Sequence, residues 1–463
     1  MAKFSSKEIF QKLTDIEERY NLFSYEVNGI KVWEVMRFEV FRTAITSAGL
    51  QGQPHNIFSQ NVKAHVRLFR YLKILYWSFS KNPFMGNYTK EILVFDSPRK
   101  VLINGQFQDR FTNDLLESFN ETNYEVLERH FLGQHLGTNK KNRKYLDIFK
   151  LYEMIFERKY NTILHHSVDF LDKAEEAIKE EIGIGMNLKE ICCKKIRTFM
   201  IYFTLYDKLF RKRRPKKIYL LVSYSNHPLI AAAKANNIQV IELQHGVISR
   251  YNPAYTFPYS KQKLEYFPDL LYVFGQYWKA SADYPIPLSN IKVTGYPFLG
   301  SQMEELKGTP KKKYQILFLS QGTIGHELSV YAHQLAKILP DYEIVYKLHP
   351  GEYGRWQNYD YLVKAKELKN FSLIEEDNDP LHILLAESEF QVGVSSFAIF
   401  EGLAYNCKTI LMDLSGIEHM EFLLDNQLVM LASNSTELAD RIENFQAKVM
   451  NKSFFFQNII DNE

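Results

Sequence analysis

Two runs of alternating strands and helices are legible in this 463-residue chain. They predict an α/β protein built of two Rossmann-like domains with parallel sheets, preceded by an N-terminal helical extension. Three observations carry that reading. Short apolar segments such as EILVF, IQVIELQ, QILFLSQG and YEIVYKLHP recur at intervals that leave room for one helix between neighbours. They are apolar nearly throughout, the pattern of strands covered on both faces. The length also exceeds the roughly 250–300 residues at which a single hydrophobic core stops growing.

The elements follow in order. Residues 1–85 read as helices, with Trp33, Phe38 and Phe41 placed for burial against a larger body. EILVF, running into Asp96, is the first strand; NYEVLER (123–129) is the second; a long helical stretch spans 160–210. KKIYLLVSY (216–224), a helix through PLIAAAKANN, IQVIELQ (238–244), DLLYVFG (269–275) and NIKVTGYP (290–297) complete the first series. The polar connector EELKGTPKKK (304–313) contains Gly and Pro and marks a boundary. The second series is QILFLSQG, a helix over 325–338, YEIVYKLHP, a helix near 355–369, FSLIEED, a helix near 380–387, EFQVGVSS, a helix from 397, and KTILMDL. The expected divisions are a helical region over 1–90, a first domain over 91–308, a second over 309–435, and C-terminal helices over 436–463.

Composition bounds the function classes. With 46% hydrophobic, 24% charged and 14% aromatic residues the chain is globular, not disordered or fibrous. A net charge of +3 gives no global signature of a nucleic-acid protein, and the basic and aromatic residues form no known RNA or DNA module. Cys192 and Cys193 are adjacent and Cys407 is remote, which fits neither a disulfide framework nor a zinc site and suits a reducing compartment. The opening residues lack the apolar core of a signal peptide, and no window offers the ~18 apolar residues of a membrane span. A cytoplasmic protein is expected.

Ligands of open parallel sheets bind beyond the carboxyl ends of the strands, where loops diverge and helix N-termini present free N–H groups. In the second series those ends carry Gln321, Gly322 and Thr323; then Lys347, His349 and Pro350 of KLHPGE; then Glu375, Glu376 and Asp377; then Ser395 and Ser396. His349 can hydrogen-bond a phosphate oxygen with Lys347 supplying charge, and the two serines open a helix where hydroxyls and backbone N–H groups form an anion cradle. Together they read as a phosphate or nucleotide site; the plain alternative is a capped helix and a closed turn. Glu401, one turn further, reads either as a contact to a ribose hydroxyl or base edge or as an ordinary helix carboxylate. In the first series LQHGV places His245 and Gly246 at a strand end. If both sheets point their carboxyl ends at one cleft, a neutral His245 could deprotonate an acceptor hydroxyl there; a structural turn histidine is the other reading. Asp96, and Asp109 in NGQFQDR, are carboxylate alternatives for the base.

No HExxH, paired CxxC, GxSxG, GxxxxGKS or GxGxxG motif stands where its mechanism needs it. No DxD pair is set between strands in the way that holds a divalent metal on a sugar nucleotide. The expectation is a site with no cofactor and no metal.

The set LQHGV, KLHP and VGVSSFAIFEGL resembles that of bacterial surface-polysaccharide transferases with the GT-B fold: polysialyl- and sialyltransferases, Kdo transferases of capsule assembly, and teichoic-acid glycerophosphotransferases. The resemblance covers residues 215–425 and rests on short motifs. It implies two facing Rossmann-like domains, with the nucleotide held in the second. In the sialyltransferases an HP motif and a serine motif bind the CMP part of the donor, which maps onto His349, Pro350, Ser395 and Ser396. In the glycerophosphotransferases a His-Gly is the proposed base, here His245. The acidic pair followed by glycine that polysialyltransferases use is not evident. The resemblance implies an inverting, metal-independent glycosyltransferase of capsule or lipopolysaccharide synthesis, taking a CMP-activated sialic acid or Kdo to a glycan or lipid-linked acceptor. The alternatives are a CDP-polyol phosphotransferase, a non-hydrolysing UDP-sugar epimerase, and a non-catalytic glycan-binding assembly protein.

Two basic segments remain. Residues 65–84 form an amphipathic helix with Arg67, Arg70 and Lys73 on one side and Leu68, Phe69, Leu72, Leu75, Tyr76 and Phe79 on the other. Packing on the core is the first expectation; peripheral contact with an anionic membrane is the second. RKRRPKK (211–217) reads as a solvated connector.

Overall fold

The computed structural model describes residues 4–50, 64–86, 88–103, 105–131, 134–136, 142–156, 168–259, 264–375 and 381–459. Two parallel sheets dominate it. The first holds β1 (Ile92–Phe95), β2 (Tyr124–Glu128), β3 (Arg143–Tyr145), β4 (Lys217–Leu220), β5 (Gln239–Leu243), β6 (Leu270–Val273) and β7 (Ile291–Val293), in the spatial order β7-β6-β5-β4-β1-β2-β3. The second holds β8 (Lys312–Leu319), β9 (Glu343–Lys347), β10 (Phe371–Ile374), β11 (Ser388–Gly393), β12 (Lys408–Met412) and β13 (Met430–Ala432), in the order β10-β9-β8-β11-β12-β13. Within each sheet the third, second, first, fourth, fifth and sixth strands lie side by side, the doubly wound order of a Rossmann fold. This is the GT-B-like pairing of two α/β domains that the sequence predicts. Among the described residues no helix is long and apolar enough to cross a membrane.

The apolar strands are buried on both faces as their composition requires. On β1, Leu93 and Phe95 join one core with Leu205, Phe210 and Leu229 of the covering helices, while Val94 joins another with Val126, Tyr219 and Ile241. The edge strands β3 and β13 carry weak signals, being three residues each, and sequence periodicity does not pick them out. A small hairpin at Glu26–Val27 and Ile30–Lys31 also interrupts the helical N-terminal region between helices α1 (Ser6–Arg19) and α2 (Val32–Ser47). Over 168–213 the predicted single helical stretch is two helices. Gly183, at φ +80°, ends Asp172–Ile182 in the left-handed conformation that glycine adopts most easily, and the Asn187 side chain caps Leu188–Arg213.

A third core lies between the domains. Phe274, Trp278 and Tyr296 of the first meet Phe397 and Phe400 of the second, and Phe455 and Phe456 of the C-terminal segment close over them. The Trp278 indole N–H donates to the Phe455 carbonyl at 2.9 Å, and Gly275 must be glycine because a Cβ there would overlap the backbone of Phe455. Helix α1 spans the same divide through Lys7, which pairs with Glu421 at 2.8 Å.

RKRRPKK is solvated as expected at Arg211, Lys212, Arg214, Lys216 and Lys217, with one exception, and the amphipathic helix departs from expectation. Arg213 of RKRRPKK is not solvated: its guanidinium is fully buried, bonding Glu125 and the carbonyls of Pro83, Met85 and Gly86. Helix α3 (Ala64–Ser80) turns its apolar face to solvent instead of the core, with Phe69, Leu72, Tyr76 and Phe79 all more than half exposed.

The helix Phe397–Ala404 must sit close to β11, and Gly402 permits it. A Cβ at 402 would overlap the amide of Gln391, which is itself buried and donates to the Ile399 carbonyl and the Thr409 hydroxyl. Gly402→Ala is therefore expected to destabilise the protein by about 1–3 kcal/mol, readable as an earlier thermal transition.

Candidate functional site

In a sheet of this order the chain changes winding direction between the first and fourth strands, so the loops after those strands diverge and leave a crevice. In the second domain the crevice lies between the loop after β8 and the loop after β11, and one side chain ties the two together. The Ser395 N–H donates to Gln321 Oε1 at 3.0 Å, and Gln321 Nε2 donates to Ser395 Oγ at 3.3 Å. Gly322 adjoins the turn after β9: a Cβ there would stand 3.7 Å from His349 Nδ1 and 2.9 Å from Arg355 Nη2, which donates to the Gly322 carbonyl at 2.7 Å. Gln321, Gly322, His349 and Ser395 thus share one rim. Ser396 is the N-cap of Phe397–Ala404, its hydroxyl accepting from the Ala398 N–H at 3.3 Å, and Thr323 is half-buried in the turn leading to Gly325–Ile338.

The KLHPGE turn is held by its own residues. His349 Nδ1 accepts the Gly351 N–H at 3.0 Å. An accepting Nδ1 corresponds to the tautomer that carries its ring hydrogen on Nε2, where it is a donor. Glu352, fully buried, accepts the His349 N–H at 2.8 Å and the Ser320 hydroxyl at 3.0 Å, and burial raises its pKa. Pro350 opens the short 3-10 turn Pro350–Glu352. Lys347 ends β9, almost fully buried, with its ammonium 3.5 Å from the Tyr353 hydroxyl. Glu375 accepts from the Trp356 indole N–H at 3.0 Å and pairs with Lys366; Glu376 and Asp377 lie outside the described residues.

In the first domain the two candidate aspartates are buried and held by neighbouring groups, with Asp96 Oδ1 left without a hydrogen-bond partner among the described residues. Asp96 is buried between Lys100 at 2.5 Å and Arg143 at 2.6 Å, and Arg143 continues to Glu128 at 2.8 Å. Desolvation raises the pKa of Asp96, against the pull of those two cations. Asp109 accepts the backbone N–H groups of Ser97, Phe111 and Thr112 at 2.6, 2.8 and 3.2 Å. With its oxygens committed to fastening two loops, Asp109 does not stand ready as a base. It does hold in place the residue that follows it, Arg110.

His245 follows β5, half-buried, and its Nδ1 has no hydrogen-bond partner among the described residues. Burial pushes its pKa down to about 4; the Leu243 carbonyl opposes this and the charge of Arg110 adds to it. Its ring lies 6.2 Å from that of Tyr224, in the turn after β4. That turn is strained: Val222, a β-branched residue, sits at φ +61°, a conformation that costs a non-glycine residue about 1–3 kcal/mol and concentrates at functional sites. Glu242 beneath it accepts the Ser223 N–H at 3.0 Å and the Tyr255 hydroxyl at 2.8 Å. From the same stretch as His245, Ser249 reaches across to the second domain, 2.7 Å from His419 Nδ1.

Four further groups converge where the domains meet. Glu401 is 1% exposed and its Oε1 has no hydrogen-bond partner among the described residues; His382 Nε2 stands 4.0 Å away. His382 Nδ1, the Tyr296 hydroxyl and the Tyr405 hydroxyl are likewise buried without hydrogen bonds. Arg110 is within electrostatic reach of Glu401, Tyr296 and His382 as well as His245. Burial lowers the pKa of His382, with Glu401 opposing and Arg110 assisting. Buried polar groups are almost always bonded, because each one left unpaired costs roughly 1–3 kcal/mol, so a convergence of several marks a place built to meet a polar ligand. Arg110, His382, Tyr296 and Tyr405 were not legible as site residues. Arg110 stands one position from Asp109, but no motif surrounds any of the four.

The fold is that of a two-domain, GT-B-like α/β protein, with strand-end residues of the second sheet along one rim and Arg110 of the first domain near the buried polar groups where the domains meet. No protein-family model matches the chain. Among curated proteins it is 25% identical over 282 residues to the uncharacterized protein MJ1060 of Methanocaldococcus jannaschii; the alignment spans 60% of this chain and 45%, less than half, of that protein. Among solved structures it is similar to a UDP-GlcNAc 2-epimerase of M. jannaschii (13% identity, TM-score 0.47, covering 81% of this chain and 96% of that one). It is also similar to the UDP-GlcNAc 2-epimerase of Neisseria meningitidis bound to UDP-GlcNAc (15%, 0.44, 77% and 92%) and to a glycosyltransferase of Rickettsia africae (16%, 0.41, 77% and 88%). Likeness of this degree concerns the arrangement of the sheets and not the chemistry.

Proposed function

We propose that the protein is a nucleotide-sugar enzyme that holds its donor's phosphate between the rim of the second domain and Arg110 of the first, and transfers the sugar to an acceptor hydroxyl in the cleft. The observation that carries this reading is the convergence of Arg110 with Glu401, His382 and Tyr296, buried groups with atoms unbonded among the described residues, where the domains meet. His349 Nε2–H, the hydroxyls of Ser395 and Ser396, and the guanidinium of Arg110 stabilise the charge that develops on the leaving phosphate. Glu401 accepts hydrogen bonds from donor hydroxyls.

His245 is the base, and its low pKa has a role in that assignment. A group titrating at about 4 is a weak base in the free enzyme. An anionic donor that neutralises Arg110 removes one cause of the depression, so His245 becomes more basic once the donor is bound.

The HP and serine motifs favour a CMP-linked acidic sugar. One observation favours a second reading, epimerisation of a UDP-sugar: Glu401 and Tyr296 are only 1–2% exposed where the domains meet, a setting suited to chemistry on a bound donor alone. Thermal unfolding in the presence of CMP, CDP, UDP or GDP tests the shared premise. A nucleotide at 100 times its dissociation constant is expected to add about 2.7 kcal/mol of stability, and no shift with any of the four rejects the nucleotide site. Donor incubated without acceptor then separates the two chemistries, since only an epimerase turns it over into a second sugar nucleotide.

A further inference from the structure

Helix α3 presents an outward apolar face. Phe69, Leu72, Tyr76 and Phe79 are 58, 54, 61 and 62% exposed, at positions i, i+3, i+7 and i+10, so they lie along one side of the helix. Leu75 widens the strip. The opposite side makes the contacts with the rest of the fold: Ser78 is fully buried, and Trp77 stands edge-on to Tyr145 and His135 at 5.2 and 5.7 Å. The helix packs on Asp147–Phe156, whose Met154 and Ile155 are also exposed. Single exposed apolar residues are ordinary, but a contiguous strip of this kind on a folded domain marks a surface that something covers.

The charge around the strip says what. The helix Ala64–Ser80 contains Arg67, Arg70 and Lys73 and no Asp or Glu. The Lys73 ammonium lies 4.8 Å over the Phe69 ring, so cation and apolar surface are directly adjacent. A two-fold pairing of this face with a second copy would bring like charges together, whereas a sheet of lipid phosphates complements them. Aromatic side chains flanked by lysine are the composition that settles at the boundary between headgroups and acyl chains.

We propose that the outer face of α3 docks the protein on an anionic lipid bilayer, with Phe69, Leu72, Tyr76 and Phe79 entering the interface and the neighbouring cations meeting the headgroups. The docking is independent of the catalytic reading above. The test is co-sedimentation of the full chain with vesicles of phosphatidylglycerol and phosphatidylcholine, compared with phosphatidylcholine alone. The wild-type protein is expected to bind the anionic vesicles, less so in about 0.5 M salt, where charges are screened within a few ångströms. The triple variant Leu72→Ser, Tyr76→Ser, Phe79→Ser is expected to lose roughly tenfold or more in vesicle affinity while unfolding at the wild-type temperature, because the replaced side chains face solvent in the free protein. Lys73→Glu is expected to weaken binding to the anionic vesicles selectively. Absence of wild-type binding, equal binding to neutral vesicles, or unchanged binding by the triple variant would each overturn the proposal. So would a wild-type dimer that the triple variant converts to monomer, which makes a second copy the occupant, or a lowered unfolding temperature of that variant, which places the strip against its own chain.

Discussion

His349→Ala is expected to lower kcat/KM by about 100-fold or more, the effect of removing one preorganised donor from a developing oxyanion. The reason lies in the turn. Because Nδ1 accepts the Gly351 N–H, the ring hydrogen stands on Nε2, the nitrogen assigned to the phosphate. The turn is also clamped independently of that side chain, by Glu352 through the His349 backbone N–H and the Ser320 hydroxyl. Stability is therefore expected to fall by no more than about 1 kcal/mol, and a thermal melt beside the kinetic assay separates lost chemistry from lost structure. His349→Gln, which keeps an N–H donor of similar reach, is expected to recover part of the activity. Near-wild-type kcat/KM in His349→Ala would remove the histidine from the phosphate site.

Arg110→Met is expected to weaken nucleotide binding by about 10–100-fold, the value of a charge-assisted contact in a partly desolvated site. It carries a second, independent signature at His245. The cation disfavours the imidazolium, so its removal raises the His245 midpoint from about 4; burial, the larger cause, remains and keeps it below the ordinary histidine value. Nucleotide bound to the wild-type protein is expected to move the same midpoint in the same direction. Histidine NMR titrations of the free, nucleotide-bound and variant proteins read all three. The linkage has a definite sign. A histidine whose folded pKa lies below its unfolded value contributes stability above the unfolded pKa that is lost as the pH falls toward 4, and Arg110→Met narrows that window. An identical His245 midpoint in the three samples would separate Arg110 from His245 and dissolve the proposed activation.

The rim of the second domain was readable from residue order. Once QILFLSQG, YEIVYKLHP and EFQVGVSS are strands of a parallel sheet, their last residues must lie along one edge, and Gln321, His349 and Ser395 do. Strand identity follows from apolar periodicity over a handful of residues, and the edge follows from the parallel direction, so short-range information suffices. The carboxylates show the limit of such reading. Asp96 and Asp109 stand where a base could, yet Lys100 and Arg143 both pair with one oxygen of Asp96, and three backbone N–H groups occupy the oxygens of Asp109. Those partners are brought there by strands and loops elsewhere in the chain.

The same distinction runs through the molecule. Amphipathic spacing announces that α3 has an apolar side, but whether that side meets a core or the solvent depends on what the neighbouring elements leave uncovered. Arg110 differs in sequence from no other arginine; it matters because Asp109 pins its loop and because Glu401, His382 and Tyr296 come to the same interface from remote positions. Periodicity and strand order are properties of neighbouring residues and can be read along the chain. Desolvation, charge pairing and the lack of a partner are sums over everything nearby in space, and only the packed fold determines what is nearby.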